Sequence, residues 1–524
     1  MSDKTRDVCP SMEAQEQKVY EIFKTIVSLC KNSSNDEQNF HEFEGGLKLQ
    51  IQHLACALVQ LFLISAHLNF KMSAWRQSDK YHHRRKPVSR CIKTTWGPVR
   101  YWRCHLISKD GGGVFYPLDA CLGLTSDGFS QGVISLAVRL STQMSFSAAA
   151  NVLRMTIGFS PATSTIEEHV LGIGRYACDF MDISAPQSLP LNTCGDEILI
   201  IEADGKATPT ATQTELKKRR GERKKGTKNK CGCKRHRAKE KKLSHSKKKR
   251  RKAGDKSKNG RSITLVAMYT LKRGSDGKLH GPFKKKIFGS YSPRKVILEW
   301  AATQAQKRGF PKDSPDVHIV VDGEKCLQQN LAVLFPNASF ALDIYHLEEH
   351  IWLAGRSFHR AGSNKLKEWV HDKIDRLYTD MDGLIQTLDA LRLKYEDVNS
   401  CKPRYKALDK LLNYITPRRN MLRYTRYKKD DLPLASGIIE GAARYVIGER
   451  MDCSGMRWIP ERAEHLLQLR CIEINGDWDE FFNYYHEKNI QLMKTGEKVQ
   501  LRNKKAKGLA ATFDEFNTKP VEAA

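Results

Sequence analysis

Two stretches of the sequence share one design. ILIIEADG, residues 198 to 205, and VHIVVDG, residues 317 to 323, are each a run of β-branched and apolar residues that closes on Asp-Gly. Such runs read as buried strands, so each delivers a carboxylate, Asp204 or Asp322, at a strand end. A third acid, Glu440, lies in ASGIIEGAARYVIGERMDCSGMRW, residues 435 to 458. There Ile439, Ala442, Ala443, Val446 and Ile447 follow the i, i+3, i+4, i+7, i+8 rule, which predicts a helix with one packed face. Glu440 falls at the margin of that face, one turn before Arg444, and Gly437 and Gly441 let the backbone come close to what the helix packs on. Three converging carboxylates repel one another unless cations lie between them, and hard oxygen ligands of this kind suit Mg2+ or Mn2+. Two such ions about 3.5 to 4 Å apart can activate an attacking oxygen and stabilise the leaving oxygen of a phosphodiester. Asp204, Asp322 and Glu440 are thus the expected catalytic and metal-binding residues. Singly, each has a plainer reading, because Asp-Gly at a strand end is a common turn.

The elements that must hold these acids can be read from the order of patterns. DEILIIEADG, RSITLVAMYTL at 261 to 271 and KKKIFGS at 284 to 290 are three strands in succession; then come a helix over 292 to 308, VHIVVDG, a helix over 324 to 334, and SFALDIYH at 339 to 346. A strand after each of two helices makes the class mixed α/β. This catalytic core spans 191 to 361 and 433 to 475, and two insertions interrupt it. Residues 217 to 258 are basic, and residues 362 to 432 are helical and highly charged, with KEWVHDKIDRLYTDMDGLIQTLDALRLKY reading as two helices.

Upstream, residues 1 to 75 read as a helical region and 76 to 125 as a small β-rich module, with TTWGPVRYWRC and KDGGGVFYPLD as extended pieces between turns. Residues 126 to 190 are helical. There the Ala-rich SFSAAANVLRM, the turn TIGFS and PATSTIEEHVLGIGRYACDF have the layout of a helix-turn-helix, in which Ser160, Thr163, Ser164 and Thr165 start the recognition helix and face DNA. Residues 476 to 524 read as a C-terminal tail.

Charge points to the same class of partner. The net charge is +29 and the pI near 9.5, a field that attracts polyanions, nucleic acid first. Residues 217 to 258 carry 23 Lys and Arg against three acids. With almost no apolar residues this segment cannot bury a core; Lys217, Lys218, Arg219, Arg220, Lys247, Lys248, Lys249, Arg250 and Arg251 are its expected phosphate-binding residues. A plain solvated run is the bland alternative. The fourteen cysteines include no C-x-x-C pair, which indicates neither a disulfide framework nor a zinc ribbon and fits a reducing compartment. Cys231 and Cys233 with His236, and Cys104 with His105, are weak metal candidates. The longest apolar run, LACALVQLFLISA at 54 to 66, is shorter than the ~20 residues of a membrane span and reads as a buried helix; no membrane partner is expected.

EADG, VVDG, LDIYHLEEHIW and SGIIEGAARYVIGERMDCSGMRW resemble the ribonuclease-H-like core of DDE transposases. More narrowly they resemble transposases of Mutator-like bacterial insertion sequences, the ISKra type above all. The resemblance covers roughly residues 80 to 475. It implies that the first Asp ends the first strand, the second follows the fourth, and the Glu comes on a helix after an inserted helical region. It also implies an accessory Asp-x-x-His, here Asp343 and His346; Arg444 and Arg450, in the last motif, are carried as further accessory residues. Relatives carry a paired-cysteine element in the β-rich module, which this chain lacks.

The implied activity is metal-dependent strand cleavage at the ends of a mobile element, then attack of the freed 3′-hydroxyl on target DNA. The implied partners are double-stranded DNA, as terminal inverted repeats and target, and further copies of the chain, in a bacterial cytoplasm at the nucleoid. By spacing, Asp322 is preferred to Asp343 as the second metal ligand. Two alternatives compete. His346, Glu349 and His350 match the H-x-x-E-H motif of inverted zinc peptidases, and a non-catalytic DNA-binding protein would keep the charge without the chemistry.

Overall fold

The computed structural model describes residues 8–32, 40–72, 81–109, 114–183, 197–213, 215–216, 260–396, 402–453 and 456–495. They fall into two units, residues 1–176 with 477–524, and residues 177–476. The basic segment, with all nine of its expected phosphate-binding residues and Cys231, Cys233 and His236, lies outside the described residues.

In the first unit, helices Met12–Asn32 and Phe40–Leu68 pack on each other, and the second packs on a three-stranded antiparallel sheet of β1 (Tyr81–Thr94), β2 (Gly97–Ser108) and β3 (Val114–Phe115). Leu63 joins Ile92, Val99 and Tyr101 in the core beneath. Helix Phe40–Leu68 corrects the expectation of a buried helix. It runs for 29 residues, long and apolar enough to cross a membrane by length and composition, and only Ala57, Leu63 and Ile64 are buried. Three helices, Gln131–Gln143, Phe146–Ile157 and Thr163–Gly174, then enclose Ala137, Ala150, Leu153 and Ile166. The supposed C-terminal tail is also corrected. Trp478–Lys494 is a helix of this unit, its apolar Trp478, Phe481 and Tyr485 buried and the Trp478 indole donating to Ser135 Oγ at 3.2 Å.

The second unit is mixed α/β, built on a five-stranded mixed sheet in the order β6-β5-β4-β7-β8. β4 (Glu197–Pro209), β5 (Gly260–Arg273) and β6 (Leu279–Ser290) are antiparallel; β7 (Val317–Val321) and β8 (Ser339–Leu342) run parallel to β4. β7 is buried at every residue, as an apolar run without alternation requires when both faces are covered. Helix Arg294–Lys307 packs on β5 and on helix Lys325–Leu334, and Pro460–Ile474 packs on β6.

The helical insertion, Asn364–Thr379, Met381–Lys394, Lys402–Ile415 and Tyr424–Lys429, shares one core with β8 and helix Ile344–Gly355. Its Tyr424 and Tyr427 hydroxyls each donate at 2.7 Å to carbonyls of β8, Leu342 and Phe340. The β8 edge of the sheet is therefore covered, with two of its carbonyls satisfied.

Candidate functional site

Register brings three aspartates together. In the parallel pairings Ala203 lies opposite Val321 and Val321 opposite Leu342, and the next residue on each strand is Asp204, Asp322 and Asp343. The Asp343 amide extends the ladder by donating to Val321 O at 2.9 Å. Neighbouring strands lie about 4.8 Å apart, so three carboxylates stand in one row; Asp322 and Asp343 directly follow β7 and β8, whereas Asp204 does not end its strand as expected, because β4 stays paired with β5 on to Pro209. Burial, then mutual repulsion, pushes Asp204 above the usual carboxylate range, although the Gly205 amide donates to it at 2.6 Å. Burial also raises Asp322, whose Oδ1 accepts from Glu324 N at 3.0 Å.

Glu440 arrives from a helix that is not regular. Residues Gly437–Ala442 are α-helical, Ala443–Gly448 form a wider π turn, and Glu449–Met451 close the element. All five apolar positions of the sequence pattern are buried; a single regular helix is what fails. The reason lies in carbonyls bonded by side chains, Ala443 O by Lys206 at 2.9 Å and Val446 O by Arg470 at 2.9 Å. Glu440 is exposed, its carboxyl raised by partial burial and by Asp343, with Asp204 also contributing. Arg444 is exposed on the same element. Arg450 is 2% exposed, its guanidinium 5.0 Å from the Trp458 ring centroid with Met456 beside it, so it packs near the end of the element.

His346 links Asp343 to Glu440, with Nδ1 3.3 Å from one and 3.5 Å from the other. The Asp343 hydrogen bond raises the imidazole to about 9, so it is a cation at neutral pH. Asp343, His346 and Glu440 can bring ligand atoms within 4.8 Å of one another, which makes them a rival metal set. The chemistry argues against it. Asp343 is fully buried; one oxygen caps helix Ile344–Gly355 through His346 N, the other accepts from Ser436 N and Oγ, and against the cost of burial these bonds hold it at about 2. Its oxygens are spent within the protein. Asp204, Asp322 and Glu440 offer oxygen donors alone, the chemistry a hard divalent cation takes; their ligand atoms do not all lie within 4.8 Å of one another, and the His346, Arg294 and Arg418 cations offset part of the repulsion at Asp322.

For the H-x-x-E-H reading, His350 is stacked on Tyr414 at 3.9 Å, and burial lowers its pKa. Only His346 of that motif belongs to the cluster. Cys104 is half-buried with its thiol raised by burial, and His105 lies against Tyr116. Thr163 and Ser164 are exposed at the start of helix Thr163–Gly174, Thr165 is half-buried, and Ser160 donates its hydroxyl to Pro161 O at 2.8 Å in the turn before it.

Several residues around the row escaped sequence reading. Arg294 pairs with Glu324 and lies 3.0 Å from where a Cβ on Gly205 would be. Tyr414 lies 2.0 Å from the equivalent position on Gly323, whose carbonyl accepts from Arg418. Neither glycine has positive φ. The two Asp-Gly pairs therefore reflect close approach rather than turn conformation, one to a helix of the core and one to the insertion. Compared with protein-family models and with curated proteins, the chain matches none.

Proposed function

We propose that the chain is a DNA transposase with a ribonuclease-H-like catalytic core, using Asp204, Asp322 and Glu440 to cleave the ends of its element and join them to target DNA. The observation that carries this reading is the register row. Two carboxylates on adjacent parallel strands, with Asp204 also raising the Glu440 carboxyl, offer oxygen ligands that a single backbone amide each and nearby cations satisfy only in part. Mg2+ or Mn2+ held by these three residues would supply activation of the attacking oxygen and stabilisation of the leaving oxygen. The chain's own residues hold the geometry: Asp343 fixes the start of two helices, and the His346 cation keeps Glu440 beside it. Double-stranded DNA is the substrate, drawn by a net charge of +29, and the setting is the bacterial cytoplasm at the nucleoid.

The test is cleavage of labelled element ends by purified protein. Asp204→Ala, Asp322→Ala and Glu440→Ala should each abolish cleavage while DNA binding largely survives, since they act in the chemical step. Cleavage that persists in Asp322→Ala but vanishes in a folded Asp343→Ala would transfer the second ligand to Asp343. Cleavage of protein, dependent on zinc and lost in His350→Ala, would replace the reading with the peptidase.

A further inference from the structure

β4 does more than carry one carboxylate. Side chains two apart share a face of a strand, so Glu202, Asp204 and Lys206 point the same way, and the outer two both grip the element that carries Glu440. Glu202 is 1% exposed. Its Oε2 accepts from Ile439 N at 2.8 Å, the amide directly before Glu440, and its Oε1 accepts from Tyr269 OH at 2.7 Å. Lys206 Nζ donates to Ala443 O at 2.9 Å, three residues after Glu440. Gly448 lies so near that an added Cβ would sit 3.3 Å from the Lys206 ammonium. Each sign suits its end, a carboxylate on unsatisfied amides at a helix start and an ammonium on a carbonyl at the π turn.

We infer that Glu202 and Lys206 are positioning residues that clamp the Glu440 element at two points and so set the distance between Glu440 and Asp204. A buried carboxylate and a lysine tied to a main-chain carbonyl cost desolvation, and a merely packed helix needs neither. Their value lies in coupling the two ligands through one rigid strand. The inference rests on the reading of Asp204, Asp322 and Glu440 as a metal-binding set.

Mn2+ binding to the full chain without DNA, followed by water-proton relaxation, tests it, with hydrogen exchange of residues 437–448 measured in parallel. Lys206→Met and Glu202→Gln should each weaken Mn2+ binding about tenfold to a hundredfold, the range for residues that orient metal ligands, and should speed exchange in that segment. Lys206→Arg, which still donates to a carbonyl, should restore both. Asp204→Asn is the control that separates the two ideas. Wild-type affinity in both Lys206→Met and Glu202→Gln, with Asp204→Asn unable to bind, overturns the clamp and leaves the metal reading standing. Binding that is absent in wild type, or unaffected by Asp204→Asn, removes the metal reading, and the positioning role falls with it.

Discussion

Three aspartates that look alike in sequence have unlike fates at the scale of single residues. Each follows an apolar run, and nothing local separates Asp322 from Asp343. What separates them is Ser436, 93 residues beyond Asp343, whose amide and hydroxyl take one of its oxygens. The aspartates were legible because an acid after an apolar run announces itself, although β4 continues past Asp204 to Pro209; this partition was not, because it depends on a contact no spacing rule encodes. The partition predicts opposite effects on stability in metal-free buffer. Asp204 and Asp322 have raised pKa values, so their charged forms are disfavoured in the folded chain, and Asp322→Asn should raise the melting temperature measured in a chelator. Asp343 is depressed to about 2, so its charge stabilises the fold above the ordinary carboxylate pKa. Asp343→Ala removes a helix cap and leaves buried donors without an acceptor, costing about 2 to 4 kcal/mol. Calorimetry that finds Asp322→Asn the more damaging of the two would reverse the assignment.

Elements were legible where periodicity carried them and obscure where side chains overrode the backbone. Every strand of the larger sheet was anticipated, though β6 begins at Leu279 rather than at the expected 284, because exposed lysines mask its alternation. The π turn after Glu440 was invisible, since the side chains that bond its carbonyls, Lys206 and Arg470, come from elsewhere in the chain. The insertion reads as an appendage, yet it meets the site through Tyr414 at Gly323. Gly323→Ala should therefore cost about 1 to 3 kcal/mol by overpacking, with Tyr414→Leu restoring stability; no loss in urea unfolding would show that the ring moves freely. β7 is tied to the return of the insertion by His318, which is fully buried between Ser339 Oγ at 2.7 Å and Pro433 O at 2.9 Å. Burial lowers this imidazole from 6.5 to about 4. The folded chain thus stays unprotonated there while the unfolded chain takes up a proton below 6.5. Stability should fall as pH drops from 6.5 to 4 and level off below, by roughly 3 kcal/mol for this group. His318→Asn should be less stable at pH 7 but flatter across that window, and an unchanged slope would assign the acid sensitivity to another group.

Across the whole molecule, the sequence pattern marked regions but not how they associate, because apolar faces state that a surface is covered without stating by what. The helix Trp478–Lys494 belongs with residues from the other end of the chain, a pairing that only tertiary packing decides. Charge is legible at any distance, and it predicts how DNA binding responds to salt. Each neutralised phosphate contributes about −0.9 to the slope of log K against log salt, so deleting residues 221 to 258 should flatten that slope and weaken specific and nonspecific binding together. An equal slope would make the segment a bystander. Apolar exposure raises the remaining question of assembly. Ile51, Leu58 and Phe62 are exposed at 44%, 47% and 61%, and their spacing puts them on one stripe of helix Phe40–Leu68. Contiguous exposed apolar surface marks an interface, and under the proposed function the joining of two equivalent DNA ends would call for a symmetric pair of subunits. Because Leu63 and Ile64 on the opposite side anchor the helix to its own unit, the stripe can be altered without removing the core. Leu58→Ser with Phe62→Ser should leave the melting temperature nearly unchanged, lower the mass of the complex with end DNA by light scattering, and abolish joint products while single-end cleavage persists. A doubly substituted protein that remains dimeric would exclude the stripe, and a monomeric complex that still joins both ends would exclude the requirement for pairing itself.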